Sequence, residues 1–386
     1  IALPCFDETK GLSLFGVFDG HCGGVVSRLV ADWLPEKLAK SAAYRDGDYA
    51  AALNEAFRAV DTRLDSAQGR MSVKQEAAKV RATFVDSLKI DADCEAEGIS
   101  VVEMLDELCA DNPDGMGCTA VVALVEHLDG DISQPPVRLH VANCGDSRCV
   151  LWDDRGRAVP MSRDHKPRNR EELERIRAAG GWVTADGRIE DNLNLSRALG
   201  DFAYKRTRRA APPETQMISG VPEVRSRTLR PGDRYVLIGC DGVWETKRGS
   251  QATIDAVRRL LPAPGAKSPK LSKALAHFLD DNLAKDESTG LGMDNMTALL
   301  LEFPTLGEAQ GRRSRGPSSK SAASDGEGPE SLKRPAAAIL PPMKRRSGKR
   351  KPRTEVDGVR KTIAKRPAGR SGRRSGSRSG TRRAAE

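Results

Sequence analysis

The sequence predicts an α+β fold, and three observations carry that prediction. Short runs rich in Val, Ile, Leu and Thr recur along the first three hundred residues and end in Asp, Gly or Asn. Helical segments are grouped between these runs instead of alternating with each one. After Phe303 aromatic residues almost vanish, and Arg, Lys, Ser, Gly, Ala and Pro take over.

GLSLFGVF (11–18) reads as a strand following a turn at Glu8 to Gly11. YAAALNEAFRAVDTRL (49–64) reads as a helix, because Leu53, Phe57, Val60 and Leu64 share one face. Residues 65–98 read as an insertion of uncertain order. A helical segment follows from Ile99 to Cys109, with Ile99, Val102, Leu105 and Leu108 in phase. CTAVVALVEHL (118–128), VRLHVANC (137–144) and RCVLWDD (148–154) read as strands, with a turn at 145–147. RNREELERIRAAGG (168–181) reads as a helix stopped by Gly180-Gly181. RYVLIGCDG (234–242) and NMTALLLEF (295–303) are again strands, with helices around 251–261 and 271–284 between them. The organisation this predicts is one folded unit over 1–304 and a tail over 305–386. That tail cannot bury enough apolar surface to offset its ordering entropy and is expected to be disordered.

Composition excludes several classes. The apolar runs fall well short of the roughly 20 residues a membrane helix needs, so no membrane partner is expected. Eight scattered cysteines, Cys5, Cys22, Cys94, Cys109, Cys118, Cys144, Cys149 and Cys240, form no Cys-x-x-Cys pair and fit neither a zinc ribbon nor a small disulfide scaffold. A reducing compartment follows. The net charge of +9 hides a division. Residues 312–386 carry 23 Lys and Arg against 6 Asp and Glu, a net of +17, which leaves 40 basic and 48 acidic residues, a net of −8, in the remainder. The tail attracts polyanions and the body does not.

Four aspartates stand at the ends of apolar strands. Asp19 follows LSLFGVF, Asp146 follows VRLHVANC, Asp241 follows YVLIGC, and Asp294 precedes MTALLLEF. Each alone reads as a turn residue, since Asp bonds its own backbone and Gly accepts positive φ. Strand ends of one layer can, however, bring carboxylates together, and clustered carboxylates are neutralised by a hard divalent cation. Oxygen ligands favour Mg²⁺ or Mn²⁺, and such a site suits hydrolysis of a phosphoryl group.

At this point the residues carry a resemblance. FDGHCGG (18–24), GCTAVVALV (117–125), VANCGDSRCVLW (141–152), SRDHKP (162–167), ERIRAAGGWV (174–183), NLNLSRALGDFAYK (192–205), PEV (222–224), LIGCDGVWE (237–245) and DNMTALLLEF (294–303) stand in the order found in the metal-dependent protein Ser/Thr phosphatases of type 2C. GRIEDNLNLSRALGDFAYK with PPETQMISGVPEV is most similar to the nuclear gamma-type members.

The resemblance implies two antiparallel β-sheets in a central sandwich flanked by antiparallel helices, and a monomer. It implies two Mg²⁺ or Mn²⁺ ions and hydrolysis of phosphoserine and phosphothreonine in phosphoprotein substrates by a metal-activated water. Asp19 corresponds to the carboxylate bridging both metals, Gly20 to a carbonyl ligand, and Asp241 and Asp294 to ligands of the second metal. His21 corresponds to the general acid. Asp146 and Glu245 match positions linked to a weaker third metal, with Glu in place of Asp at 245. The loop from His165 to Asn192 corresponds to a flap beside the cleft. The family's first-strand Arg and Met-Glu-Asp segment has no counterpart before Asp19, and Asp7-Glu8 lies too close to supply it. The expectation is that an upstream segment carries these residues, and that without them the chain as given binds metal poorly and its own activity is left open.

Other residues read as passive. Cys22 is a neighbour of His21 without a chemical role, His140 is structural, and His165 anchors the loop leading into the flap. Trp182 and Trp244 are packing residues. In the tail, KRPAAAILPPMKRRSGKRK (333–351) has a basic pair, a nine-residue spacer and a basic cluster, which resembles a bipartite nuclear-import signal. An import receptor, nuclear and secondarily cytoplasmic residence, and RNA or DNA contact through phosphates are the corresponding expectations. Two rival functions remain open at this level: an inactive phosphatase-like module that only binds phosphoproteins, and a nucleic-acid-associated protein acting through its tail.

Overall fold

The computed structural model describes residues 1–88, 111–128, 137–205, 211–247, 249–261, 271–284 and 291–303. The helical segment expected at 99–109 and the tail expected over 305–386 lie outside these residues. The chain divides into two units, Ile1–Ser318 and Ser319–Glu386, and the described residues belong to the first.

Two antiparallel sheets form the frame. The first contains β1 (Ala2–Asp7), β2 (Leu12–His21), β3 (Gly117–His127), β4 (Val137–Cys144), β7 (Leu199–Gly200) and β8 (Glu223–Thr228), in the order β1-β2-β3-β4-β8, with β7 pairing to the start of β3. The second contains β5 (Arg148–Asp153), β6 (Ala158–Pro160), β9 (Asp233–Gly239) and β10 (Ala298–Glu302), in the order β10-β9-β5-β6. The predicted strands are therefore present, and the runs at 2–7, 158–160 and 223–228 join them.

Side-chain alternation on the first sheet divides the interior into two cores. Leu12, Leu14, Cys118, Ala120, Val122, Leu124, Ala142 and Cys144 pack against α1 (Val25–Lys40), α2 (Ala42–Arg45), α3 (Tyr49–Asp65) and α4 (Ala67–Leu88). The intervening residues Val17, Val121, Ala123, Val125, Leu139 and Val141 turn the other way. They meet the second sheet, whose core includes Leu151, Val236 and Ile238, together with α7 (Ser250–Leu260) and α8 (Leu271–Asn282). Two more helices, α5 (Arg170–Ala178) and α6 (Asp241–Glu245), complete the α-helices among the described residues, and short 3-10 turns lie at Phe202–Tyr204 and Pro213–Thr215. No helix among the described residues is long and apolar enough to cross a membrane.

One element corrects the sequence reading. Residues 67–88, within the stretch read as an insertion of uncertain order, form the 22-residue helix α4, whose Val73 and Ala77 are buried in the first core. Gly69 makes its approach possible: a Cβ there would overlap the Arg63 carbonyl oxygen and meet Leu64 Cα at 3.0 Å. The terminus of α3 and the first turn of α4 thus cross backbone to backbone.

Candidate functional site

The strand ends that carry Asp19, Asp146, Asp241 and Asp294 lie at one end of the sandwich. Asp19-Gly20-His21 is the last part of β2, paired in register with Thr119, Cys118 and Gly117 of β3, so it is strand and not a hairpin turn. Gly20 is required by close packing, since a Cβ would stand 2.8 Å from Ser27 Oγ and 2.9 Å from the Gly23 carbonyl. Asp241 is also repositioned relative to expectation. β9 stops at Gly239, and Asp241 opens the short helix α6, which places Glu245 four residues on along the same face. Asp294 lies in the segment before β10, which pairs with β9. A Cβ on Gly242 would meet the Asn295 carbonyl at 2.8 Å, so glycine lets this segment reach α6.

The result is an acidic cluster centred on Asp241. Its carboxylate groups with Asp19 and Cys240 on one side, and with Glu245 and Asp294 on the other, with ligand atoms in each group within 4.8 Å of one another. Burial, followed by the charges of Asp294 and Asp146, pushes Asp19 up to about 6. Burial with the charges of Asp146, Asp19, Asp294 and Glu245 pushes Asp241 up to about 8. Burial and the charge of Asp294 also raise Glu245. Such a cluster demands a counter-charge, and its donors suit a hard cation. Cys240 does not alter that choice. Its thiol donates to the Asn295 carbonyl at 3.3 Å and accepts from the Thr297 amide at 3.2 Å, and burial pushes it up to about 12, so it stays protonated. The residues present therefore fit one or more divalent cations.

Asp146 has a different setting. It is 2% exposed, and Lys166 Nζ donates directly to its Oδ2. Burial disfavours the Lys166 ammonium, but the charge of Asp146 outweighs this and raises its pKa. Asp146 and Glu245, expected together at one weaker metal position, are not drawn into one group: Glu245 turns to Asp241 and Asp294, while Asp146 holds a lysine.

His21 stands beside the cluster and has a partner that the sequence reading passed over. Its Nε2 lies 2.7 Å from Oδ2 of Asp201, which is 1% exposed and has φ 52°. Gly117, which pairs with both His21 and Gly200, lies beneath the pair. A Cβ on Gly117 would overlap Asp201 Oδ2 and stand 2.7 Å from His21 Nε2. Burial lowers the His21 pKa, but the hydrogen bond and charge of Asp201, with the charges of Asp146 and Asp19, raise it on balance. The only sequence signal for Asp201 was its place in LSRALGD; its partner is 180 residues away.

The remaining expectations divide. Buried His165 accepts from the Gly145 amide through Nδ1 at 3.1 Å, and its carbonyl accepts from Ser196, so it ties the β4–β5 turn to the segment after the flap. His140 bridges Ser226 and Glu126 inside the first sheet. Trp244 is buried, as expected of a packing residue. Trp182 is 49% exposed, which contradicts a packing role. Cys22 is exposed, forms no disulfide, and has φ 54°.

Comparison with known proteins agrees with this architecture. The family model for protein phosphatase 2C matches residues 74–287. The probable protein phosphatase 2C 6 of Paramecium tetraurelia is 37% identical over 290 residues, spanning 75% of this chain and 82% of that protein. Protein phosphatase 2C 1 of the same organism is 36% identical over 295 residues, spanning 76% and 84%. A solved phosphatase from a pathogenic strain of Toxoplasma gondii shares the fold, with a TM-score of 0.52 at 22% identity over 75% of this chain and 84% of that one. A match of this extent settles the family: the chain belongs to the protein phosphatase 2C family.

Proposed function

We propose that this protein is a Mg²⁺- or Mn²⁺-dependent protein serine/threonine phosphatase. The observation that carries the reading is the gathering of Asp19 on one side of Asp241 and of Glu245 and Asp294 on the other, with Asp19 and Asp241 held well above the usual carboxylate range. Asp19, Asp241 and Asp294 are the side chains that hold the cations, with the Gly20 carbonyl as a further oxygen. Divalent cations bound there supply a nucleophile at neutral pH and neutralise the phosphoryl oxygens.

The chain's own residues supply the rest. A water attacks phosphorus, the bond to the seryl or threonyl oxygen breaks, and that oxygen takes a proton from His21. Since Nε2–H is committed to the Asp201 carboxylate, the transferred proton is the one on Nδ1. Such assistance is typically worth about 10²–10⁴-fold. Asp146 stays paired with Lys166 unless a further cation displaces the ammonium. The grouping of Asp19, Glu245 and Asp294 around Asp241 weighs against the inactive-module alternative, and the acidic body weighs against nucleic-acid binding as the main role.

Phosphoproteins are the substrate class. Nuclear residence, the gamma-type affinity and tail contacts to an import receptor or to RNA or DNA complete the proposal; they rest on 333–351, on GRIEDNLNLSRALGDFAYK and on the basic tail. The test is hydrolysis of a phosphothreonine peptide by the full chain and by Asp241→Asn, each with added Mn²⁺. The expected result is turnover by the first and loss of most of it in the second. Equal turnover by both would remove Asp241 from the metal site.

A further inference from the structure

Beside the acidic cluster lies a cavity of about 240 Å³, lined by Lys166, Pro167, Arg168, Asp186, Gly187 and Asn194. It is contiguous with the proposed centre through Lys166, whose Nζ is bonded to Asp146. Its opposite wall is the hairpin of the flap, where the Thr184 amide bonds the Arg188 carbonyl and Gly187 turns with φ 93°. The Arg168 side chain lies along that glycine: a Cβ at 187 would stand 3.2 Å from Arg168 Nε and 3.4 Å from its Cδ. The flap tip is thus packed against an arginine at the edge of the cleft.

Among the described residues, the ion pairs around the cavity leave out Arg168, whose charge is felt by Asp186 without an ion pair between them. Lys166 is paired with Asp146, and Asp186 with Arg188 at 3.4 Å. The neighbours Arg163 and Arg170 are paired with Glu171 and Glu174. Arg168 is exposed, and among the described residues no carboxylate lies within ion-pair distance of its guanidinium. The volume is below the roughly 300–1,000 Å³ of sites that enclose a whole small molecule. It suits one anionic head group, and a guanidinium with a fixed planar fork is the group that receives carboxylate or phosphate in two-point fashion.

We propose that this cavity is a substrate subsite, in which Arg168, with Lys166 and Asn194 beside it, receives an acidic group flanking the phosphoserine or phosphothreonine being hydrolysed. The inference rests on the phosphatase reading and adds a substrate class to it: phosphoproteins whose phosphosite has a carboxylate or a second phosphate nearby. The pair Lys166–Asp146 makes the same lysine a boundary between the reacting group and the flanking one.

The test measures kcat/KM of the full chain with Mn²⁺ on four kinds of substrate: an aryl phosphate, a phosphoserine peptide with neutral flanks, the same peptide with Glu scanned through the flanking positions, and the peptide with a second phosphoserine there. The wild-type protein is expected to prefer at least one acidic-flanked peptide over the neutral one by about three- to tenfold, as a partly exposed charge-assisted contact allows. Arg168→Ala should reduce that ratio toward one, Arg168→Lys should restore part of it, and Arg168→Glu should invert it. A preference for the second phosphate alone, or for Glu as well, tells which anion the subsite takes. A ratio that Arg168→Glu leaves unchanged, in a variant with the wild-type near-ultraviolet circular dichroism, would overturn the subsite while leaving the phosphatase reading intact. Failure of the wild-type protein to hydrolyse even the aryl phosphate would instead overturn the phosphatase reading, and the subsite with it.

Discussion

His21 and Asp201 meet at 2.7 Å across the β2–β3–β7 edge, with only the backbone of Gly117 beneath them. Asp201 adopts φ 52°, a conformation that costs a non-glycine residue about 1–3 kcal/mol. The cost is offset by what the position allows: a buried carboxylate that fixes one imidazole nitrogen and, in the proposed mechanism, leaves the other for substrate.

Asp201→Asn keeps the volume and removes the anionic acceptor. It should slow phosphoserine and phosphothreonine peptides at least tenfold more than a nitrophenyl phosphate, because an alkoxide leaves poorly without a proton and a nitrophenolate needs little help. Steady-state rates on the two substrates check this. Equal losses on both would place Asp201 in support of the metal cluster rather than of His21.

The acidic cluster ties stability to pH and metal. Asp241, raised to about 8, takes up a proton on folding in the metal-free protein. Without metal, its contribution therefore falls as pH rises from the ordinary carboxylate range through about 8. A divalent cation must displace that proton, so binding strengthens over the same window. Thermal melts should show a Mn²⁺-induced rise in Tm that is larger near pH 8 than near pH 6, reversed by chelator. A rise of equal size at both would mean that Asp241 is not a ligand.

Glu172 acts with the opposite sign. It is 2% exposed on α5 and accepts from Arg175 at 2.7 Å, Arg197 at 2.6 Å and Ser196 at 2.7 Å. Burial would raise its pKa, but the Arg197 hydrogen bond and the charges of Arg175 and Arg197 outweigh it and hold the carboxyl at about 2, below its ordinary 4.5. Its stabilisation is full above the unfolded value and is lost as pH falls toward 2. Glu172→Gln should cost about 3 kcal/mol at neutral pH in urea unfolding and flatten the acid dependence. The wild-type acid profile in that variant would show that another group controls it.

The β-framework was legible because β-branched runs such as CTAVVALVEHL keep their residue type on both buried faces. The same runs made the four aspartates visible at strand ends. Helix α4 was not legible, because the residues it turns inward, Gly69, Val73, Ala77 and Val80, include two of the smallest and give a weak apolar period. Helix α1 has Pro35 in its interior and no side-chain cap, so neither its start nor its continuity is signalled. Asp241 reads as strand because YVLIGCDG is continuous in sequence; the chain instead turns at Cys240, the N-cap of α6, whose carbonyl accepts from the Val243 amide. The His21–Asp201 and Lys166–Asp146 pairs arise from tertiary structure alone.

The most direct test of the acidic cluster is a calorimetric titration of Mn²⁺ into the full chain and into Asp241→Asn, with phosphothreonine-peptide hydrolysis followed over the same metal concentrations. The predicted result is saturable binding by the wild-type protein, activity rising with occupancy, and loss of both in the variant. Peptide hydrolysis that persists unchanged in chelator, or a variant that binds Mn²⁺ and turns over as the wild type does, would contradict it.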